Sequence, residues 1–427
     1  MHNLKKITRR APPQAATHGQ PSRIALALAG GGPLGAIYEI GALCALDEAL
    51  SGLKFNDLHA YIGVSSGGFI AAGLANGITP RELCASFIEN TGTRADVFDP
   101  SVLVRPAWGE YAKRLTKAPS IAAQAVLRYA LNGGSMMAAM ERLGSILPTG
   151  IFSNAMIDAQ LRQQFSVPGR SNDFRKLKRK LVLVATDLDS GDSTEFGQPG
   201  LDHVPISKAV QASAALPGLF PPVEIDGRYY VDGALKKTLH ASVLLDEGVD
   251  VLICLNPLVP FDSTRAPARK LLSSGEPVIP KIADGGLPVV LSQTFRTLIH
   301  SRLELGMKGY ERSHPNTTIL LFEPDHRDPE MFLANTFSYR QRRALAEHAY
   351  QQTRKMLRER RTVLSAQLAP HGISLRQDVL DDVRRTLVSH QRASASVRNR
   401  SGRAIHKLEQ TLNDLEQAIQ PRKDLKA

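Results

Sequence analysis

Near the start of the chain two apolar runs each stop at a cluster of glycines and resume as a helical pattern. This pairing restricts the fold more than any other feature. Arg23-Ile24-Ala25-Leu26-Ala27-Leu28-Ala29 ends at Gly30-Gly31-Gly32, and His59-Ala60-Tyr61-Ile62 runs into Gly63-Val64-Ser65-Ser66-Gly67. A short continuous apolar run bounded by glycine is the pattern of a strand buried on both faces. After the first, Ile37, Ile40, Leu43 and Leu46 recur at helical spacing. They predict a helix over about residues 33–50, with Pro33 in its first turn, where a missing N–H removes no hydrogen bond. After the second, Phe69-Ile70-Ala71-Ala72-Gly73-Leu74 predicts a helix that stops near Asn76-Gly77.

The alternation continues. Thr79-Pro80-Arg81-Glu82 reads as a capping box that opens a further helix. Strands are expected at Lys180 to Thr186, around Tyr229 to Val231, at Val249 to Leu255 and at Thr317 to Phe322, with helical patterns between them. The expected fold is therefore α/β, a three-layer αβα sandwich around a mainly parallel sheet. It is followed by a charged helical extension over residues 366–427, in which Ile405, Leu408, Leu412, Leu415 and Ile419 form one apolar seam. Residues 1–22 are basic, polar and contain Pro12 and Pro13, which predicts a disordered tail. Domain limits follow at 23–250, with a helical insertion near 100–150, and at 251–365 for the continuation of the core. In the insertion, Trp108, Met136, Met137 and Met140 read first as a core-facing stripe and second as cover for an apolar pocket.

Composition removes several classes. No apolar stretch approaches a membrane span and the N-terminus lacks a signal-peptide core, so a cytoplasmic protein is expected. Cys44, Cys84 and Cys254 have apolar neighbours and no metal-ligand spacing, the pattern of reduced core thiols. The net charge of +12 is concentrated in residues 1–23, in Arg170 to Lys180 and in Arg340 to Arg361. Such clusters are either solvated helix faces or sites of salt-sensitive attraction to anionic surfaces. No nucleic-acid-binding signature accompanies them, so nucleic acid is not an expected partner.

Chemistry is suggested at three places. Gly63-Val64-Ser65-Ser66-Gly67 sits between strand and helix, where a tight turn pushes the serine out of the sheet edge with a helix N-terminus behind it. Gly30-Gly31-Gly32-Pro33-Leu34-Gly35 fits a dinucleotide fingerprint. That reading needs an acidic residue ending the second strand, and the second strand ends in the serine turn instead. The same glycines also suit an anion cradle of backbone N–H groups, with Gly31 and Gly32 as donors because Pro33 has none to give. A nucleophilic serine needs a base; His59, His203 and His240 have no distinctive setting, whereas Asp232 ends a short strand in Tyr229-Tyr230-Val231-Asp232-Gly233-Ala234.

Taken in order, the glycine loop, G-x-S-x-G and an Asp-Gly-Ala preceded by Ser213-Ala214-Ala215-Leu216-Pro217-Gly218-Leu219-Phe220-Pro221 make the chain resemble the patatin-like phospholipase family over about residues 24–250. The resemblance implies Ser65 as nucleophile, Asp232 as base of a two-residue dyad without histidine, and Gly30, Gly31 and Gly32 as an oxyanion loop. Gly35, Gly63, Gly67 and Gly233 are then motif glycines. The family commonly carries Arg or Lys where this chain has Leu34. Lipid esters, and phospholipids among them, are the implied substrates, without metal or organic cofactor and with peripheral association to anionic membranes. A general carboxylesterase and a non-enzymatic surface-binding protein on the same scaffold are the alternatives.

Overall fold

The structure is a computed structural model that describes residues 21–91, 105–132, 146–265, 281–332 and 339–388. The chain divides into two compact units, Met1–Arg385 and Thr386–Ala427, and of the second only residues 386–388 are described. The seam from Ile405 to Ile419, Met136, Met137, Met140 and residues 1–20 lie outside the described residues.

The described strands are β1 (Ile24–Leu28), β2 (Leu50–Ser51), β3 (Ala60–Val64), β4 (Lys180–Asp187), β5 (Ser193–Phe196), β6 (Val223–Ile225), β7 (Arg228–Asp232), β8 (Val251–Leu255), β9 (Thr318–Phe322) and β10 (Ser374–Leu375). The main sheet runs β6-β7-β4-β3-β1-β8-β9, with β5 also paired to β4. β4, β3, β1, β8 and β9 are parallel, while at one side β5 and β7 run antiparallel to β4 and β6 antiparallel to β7. The expected αβα sandwich with a mainly parallel sheet is therefore the observed fold. β2 and β10 form a separate two-stranded ribbon.

The helices in chain order are α1 (Gly32–Ala49), α2 (Ser66–Ala75), α3 (Pro80–Phe87), α4 (Trp108–Asn132), α5 (Ala155–Phe165), α6 (Ile206–Ser213), α7 (Ser242–Asp246), α8 (Gly286–Ser313), α9 (Pro329–Phe332), α10 (Tyr339–Glu359), α11 (Arg361–Leu368) and α12 (Gln377–Asp381). α3 carries the capping box read from the sequence, with Thr79 and Glu82 bonded reciprocally. No helix among the described residues is long and apolar enough to cross a membrane.

Alternation along the strands explains the layers. Ala25, Ala27, Ile62, Val64, Val182, Leu252 and Cys254 form one core with Leu239, Leu244 and Leu303, beneath α7 and α8. Neighbouring residues such as Leu26, Tyr61 and Leu183 point to the opposite face, where α2 and α6 lie on the strands and α1 packs against α2. All three cysteines are buried and free, as expected of core thiols.

Two expectations need correction. Trp108 opens α4 at 72% exposure, so it does not face the core; the methionines read with it lie outside the described residues. The basic stretch from Arg340 to Arg361 is not one solvated or anion-attracting face either. Arg342 and Arg354 are buried, and the Arg354 guanidinium donates to the carbonyls of Val379 (2.6 Å), Asp382 (2.7 Å) and Arg385 (3.1 Å). Arg354 thus satisfies carbonyls that would otherwise be unpaired and ties residues 379–385 onto α10, while Arg342 donates to the Phe87 carbonyl.

Candidate active site

Register brings the three motifs to one end of the sheet. Leu28 of β1 lies across from Gly63 of β3, Val64 across from Val184 of β4, and Ala185 across from Asp232 of β7. Ser65 is one residue beyond Val64, so it and Asp232 occupy the same level on opposite sides of β4.

Ser65 has φ 54 and ψ −124, a conformation that L-residues adopt only when their surroundings force it, and it forms the N-cap of α2. The force is visible. Its N–H donates to Ser213 Oγ (2.8 Å), whose own hydroxyl donates to the Val184 carbonyl (2.6 Å). Ser213, fully buried, thus clasps the turn to β4. Two residues on, the Ala215 carbonyl accepts the N–H of Asp232 (3.0 Å). One short segment, 213–215, therefore fixes the backbone of both Ser65 and Asp232. The sequence contained that segment, but its part in joining the two was not legible there, because it depends on pairing across β4.

The glycines serve close approach. A Cβ on Gly30 would stand 2.9 Å from Ser65 Cβ and 3.6 Å from its hydroxyl oxygen. A Cβ on Gly67 would meet the Leu28 and Ala29 carbonyls at 2.6 and 2.5 Å, so only glycine lets α2 start this close to β1. Gly63, Gly35 and Gly233 are similarly pressed against Gly68, Pro257 and the Val184 carbonyl. Gly32 differs: it has open space and a φ of +59. Gly31 caps α1 without any side-chain cap, leaving the first-turn N–H groups of α1 without an intrahelical acceptor. Pro33 contributes none, as expected. Leu34 is half-buried in that first turn, and its side chain brings no charge to the loop.

Asp232 is buried at 3% exposure, with Oδ1 accepting the Ala234 N–H at 2.9 Å. Burial pushes the Asp232 carboxyl up, and the Ala234 N–H and the nearby Ser65 hydroxyl only partly offset this, leaving it at about 6. At neutral pH the group is an ionised, poorly solvated carboxylate facing a hydroxyl, which is the state a general base needs.

The three histidines singled out from the sequence do not join this pair. His59 precedes β3 at the opposite end of the strand, and His203 is exposed and paired with Asp226 (2.9 Å). His240 is nearly fully buried, at a positive φ of 48, with Nε2 at 3.3 Å from the Gly233 carbonyl. Burial drives its imidazole down to about 4 against the pull of that carbonyl, so it is neutral and braces the turn that follows Asp232. Sequence reading missed this role.

Two further clusters lie outside the site. Arg170, Lys176, Lys178 and Arg179 line a cleft of about 910 Å³ with Lys54 and His203, beside the C-terminal end of α2 rather than its Ser65 end. The ligand atoms of Asp328, Glu330 and His348 lie within 4.8 Å of one another. Burial works against charge on His348, but its hydrogen bonds to Asp328 and Glu330 raise it to about 9. A protonated imidazole with both nitrogens so engaged is an ion-pair clasp rather than a ready metal ligand.

The chain is 36% identical over 75 residues to uncharacterized NTE family proteins of Mycobacterium bovis and Mycobacterium tuberculosis, a stretch covering 18% of this chain and only 19% of theirs. Among solved structures it is similar to VipD from Legionella pneumophila, at 16% identity and a TM-score of 0.36 over 84% of this chain and 72% of that one. It is also similar to human GIVD cytosolic phospholipase A2, at 12% identity and a TM-score of 0.27 over 81% of this chain and 60% of that one. The sequence profile of the patatin-like phospholipases matches residues 26–245, which contain the glycine loop, Ser65 and Asp232. With just over half of its length inside that match, the chain belongs to the patatin-like phospholipase family.

Proposed function

We propose that the protein is a serine lipid acyl hydrolase acting on carboxylic esters of membrane lipids. Asp232 accepts the proton of Ser65 as Oγ bonds to the ester carbonyl carbon, and the carbonyl oxygen becomes an oxyanion. Gly31 and Gly32 at the start of α1 donate N–H groups to that oxyanion, each such donor contributing about 3 kcal/mol to transition-state stabilisation in comparable sites. Gly30 leaves the room in which it forms. Collapse of the intermediate breaks the ester C–O bond, and the alcohol departs with the proton held by Asp232. Water then attacks the acyl-serine, gives its proton to Asp232, and the fatty acid leaves as the Ser65 hydroxyl is restored.

The placement of Ser65 at the same level as a buried Asp232 across β4, beside an uncapped helix start, carries this reading. Neither a metal nor an organic cofactor has a part in it. Anionic lipid surfaces are the proposed place of action, consistent with a net charge of +12.

Ser65→Ala should lower release of p-nitrophenol from medium-chain esters by at least about a thousandfold, and Asp232→Asn should do the same. Both variants should keep wild-type circular dichroism. Wild-type rates in either would overturn the dyad. A panel of phospholipids against short soluble esters distinguishes a lipid acyl hydrolase from a general carboxylesterase.

A further inference from the structure

α8 is apolar on two opposite faces, and among the described residues only one of them is covered. Its inner face holds Leu303 in the core with Ile299, Met307 and Tyr310 packed alongside. On the outer face Leu287, Leu291, Leu298 and Leu305 fall at helical spacing and are 69%, 46%, 55% and 68% exposed, with Phe295 at 42% on their flank. Stray exposed leucines are ordinary; a row of them along five turns is not. The row continues into Lys308 and Arg312, both exposed, and Arg302 stands beside it. The two carboxylates of the helix, Glu304 and Glu311, fall on another line, and Glu304 turns to His300. The outer face is therefore leucine-rich, carries cations and has no acid.

Its position is equally specific. Arg302 donates to the Leu235 carbonyl, and Thr238 donates to the Ile299 carbonyl at 3.0 Å. α8 is thus fastened to the segment that directly follows Asp232 and Gly233.

We infer that the outer face of α8 docks the protein on an anionic lipid surface. A helix with a leucine row flanked by Lys and Arg lies in the plane of a bilayer interface, where the leucines enter the acyl boundary and the cations meet phosphate. Charge complementarity selects this occupant, since a neutral apolar groove would have no use for the exposed Lys308 and Arg312 at the end of the leucine row. The inference rests on the lipid-ester reading for its purpose, because docking through α8 would bring the Asp232 segment to the surface that holds the substrate.

The test is flotation of the full chain with vesicles of phosphatidylglycerol and phosphatidylcholine, comparing wild type with Leu291→Ser/Leu298→Ser/Leu305→Ser. These leucines touch neither Ser65 nor Asp232, so hydrolysis of a soluble p-nitrophenyl ester should stay unchanged and reports correct folding. Partition onto anionic vesicles should fall at least about tenfold, and wild-type partition should weaken as salt rises. Equal partition of variant and wild type overturns the proposal, as does wild-type indifference to anionic vesicles. A wild-type dimer in light scattering that the triple variant turns into a monomer would also overturn it, assigning the face to a second copy of the chain. Ser65→Ala should float like wild type. If that variant hydrolyses esters normally, the dyad reading fails while the vesicle comparison still decides the docking face.

Discussion

The end of the sheet that holds Ser65 and the outer face of α8 are built on opposite terms. Around Ser65 the packing is tight: a methyl group added at Gly30, Gly63, Gly67 or Gly233 would meet neighbouring atoms at under 3.0 Å, and the Ser65 and Asp232 N–H groups each have a specific acceptor. On α8 the leucines of the outer row are 46–69% exposed. Placement in the first region depends on individual atoms, whereas the second can act only through summed area and charge. Single substitutions should consequently have large effects in the first and small effects in the second.

After the dyad substitutions themselves, the largest effect is expected from Gly30→Ala. The added Cβ would stand 2.9 Å from Ser65 Cβ, so either the serine turn or the glycine loop must move. A shift of about 1 Å in reacting groups costs on the order of a hundredfold in rate. Ester hydrolysis should fall by that factor or more, at a loss of about 1–3 kcal/mol in urea unfolding. Activity close to wild type would mean that the loop is looser than its contacts imply.

The pH profile comes next. With the Asp232 carboxyl at about 6, hydrolysis should rise tenfold per pH unit below that value and level off above it. Stability has the opposite sign. A carboxyl raised in the folded state above its unfolded value near 4 contributes stability that is complete below about pH 4 and lost as pH rises through about 6. Asp232→Asn should then be as stable as wild type at pH 8, or more stable by about 2 kcal/mol, while inactive. An inactive variant that is also several kcal/mol less stable would show that the carboxylate is structural.

Ser213→Ala should be milder. It leaves the Ser65 N–H and the Val184 carbonyl buried without their present partner, a cost of about 1–3 kcal/mol, and it loosens the strained φ of Ser65. A drop of about tenfold in kcat with KM nearly unchanged is expected, and unchanged kcat would remove Ser213 from the positioning of the serine. At the small end, the three serine replacements on α8 should change stability by less than about 0.5 kcal/mol each and leave soluble-ester hydrolysis intact. Their effect should be seen at vesicles alone.

Much of this was legible in the chain. Ile24 to Ala29 and Ala60 to Val64 announce buried parallel strands because both faces of each are covered, which leaves no polar position in the run. Gly77 and the Thr79/Glu82 box mark helix ends through local chemistry alone. What could not be read were the positions whose setting depends on distant segments. Trp108 looked like core because burial is what large aromatics ordinarily seek, yet it faces outward on α4. Arg342 and Arg354 looked like surface charge, but residues 379–385 supply Arg354 with carbonyls, and Phe87 supplies one to Arg342. His240 carried no local signal because its partner, the Gly233 carbonyl, belongs to a backbone turn.

The sequence by itself determined the strand–glycine–helix units, the order of the three motifs and hence the family, since these rest on periodicity and on backbone conformations that only certain residues permit. Tertiary structure decided the rest. The antiparallel insertion of β7 beside β4 brings Asp232 to the level of Ser65, segment 213–215 ties both down, and the fastening of α8 to the turn after Asp232 sets which of its apolar faces is buried. The physical reason is that hydrogen-bond partners and burial are properties of segments far apart in the chain, and no local pattern encodes them until the sheet has assembled.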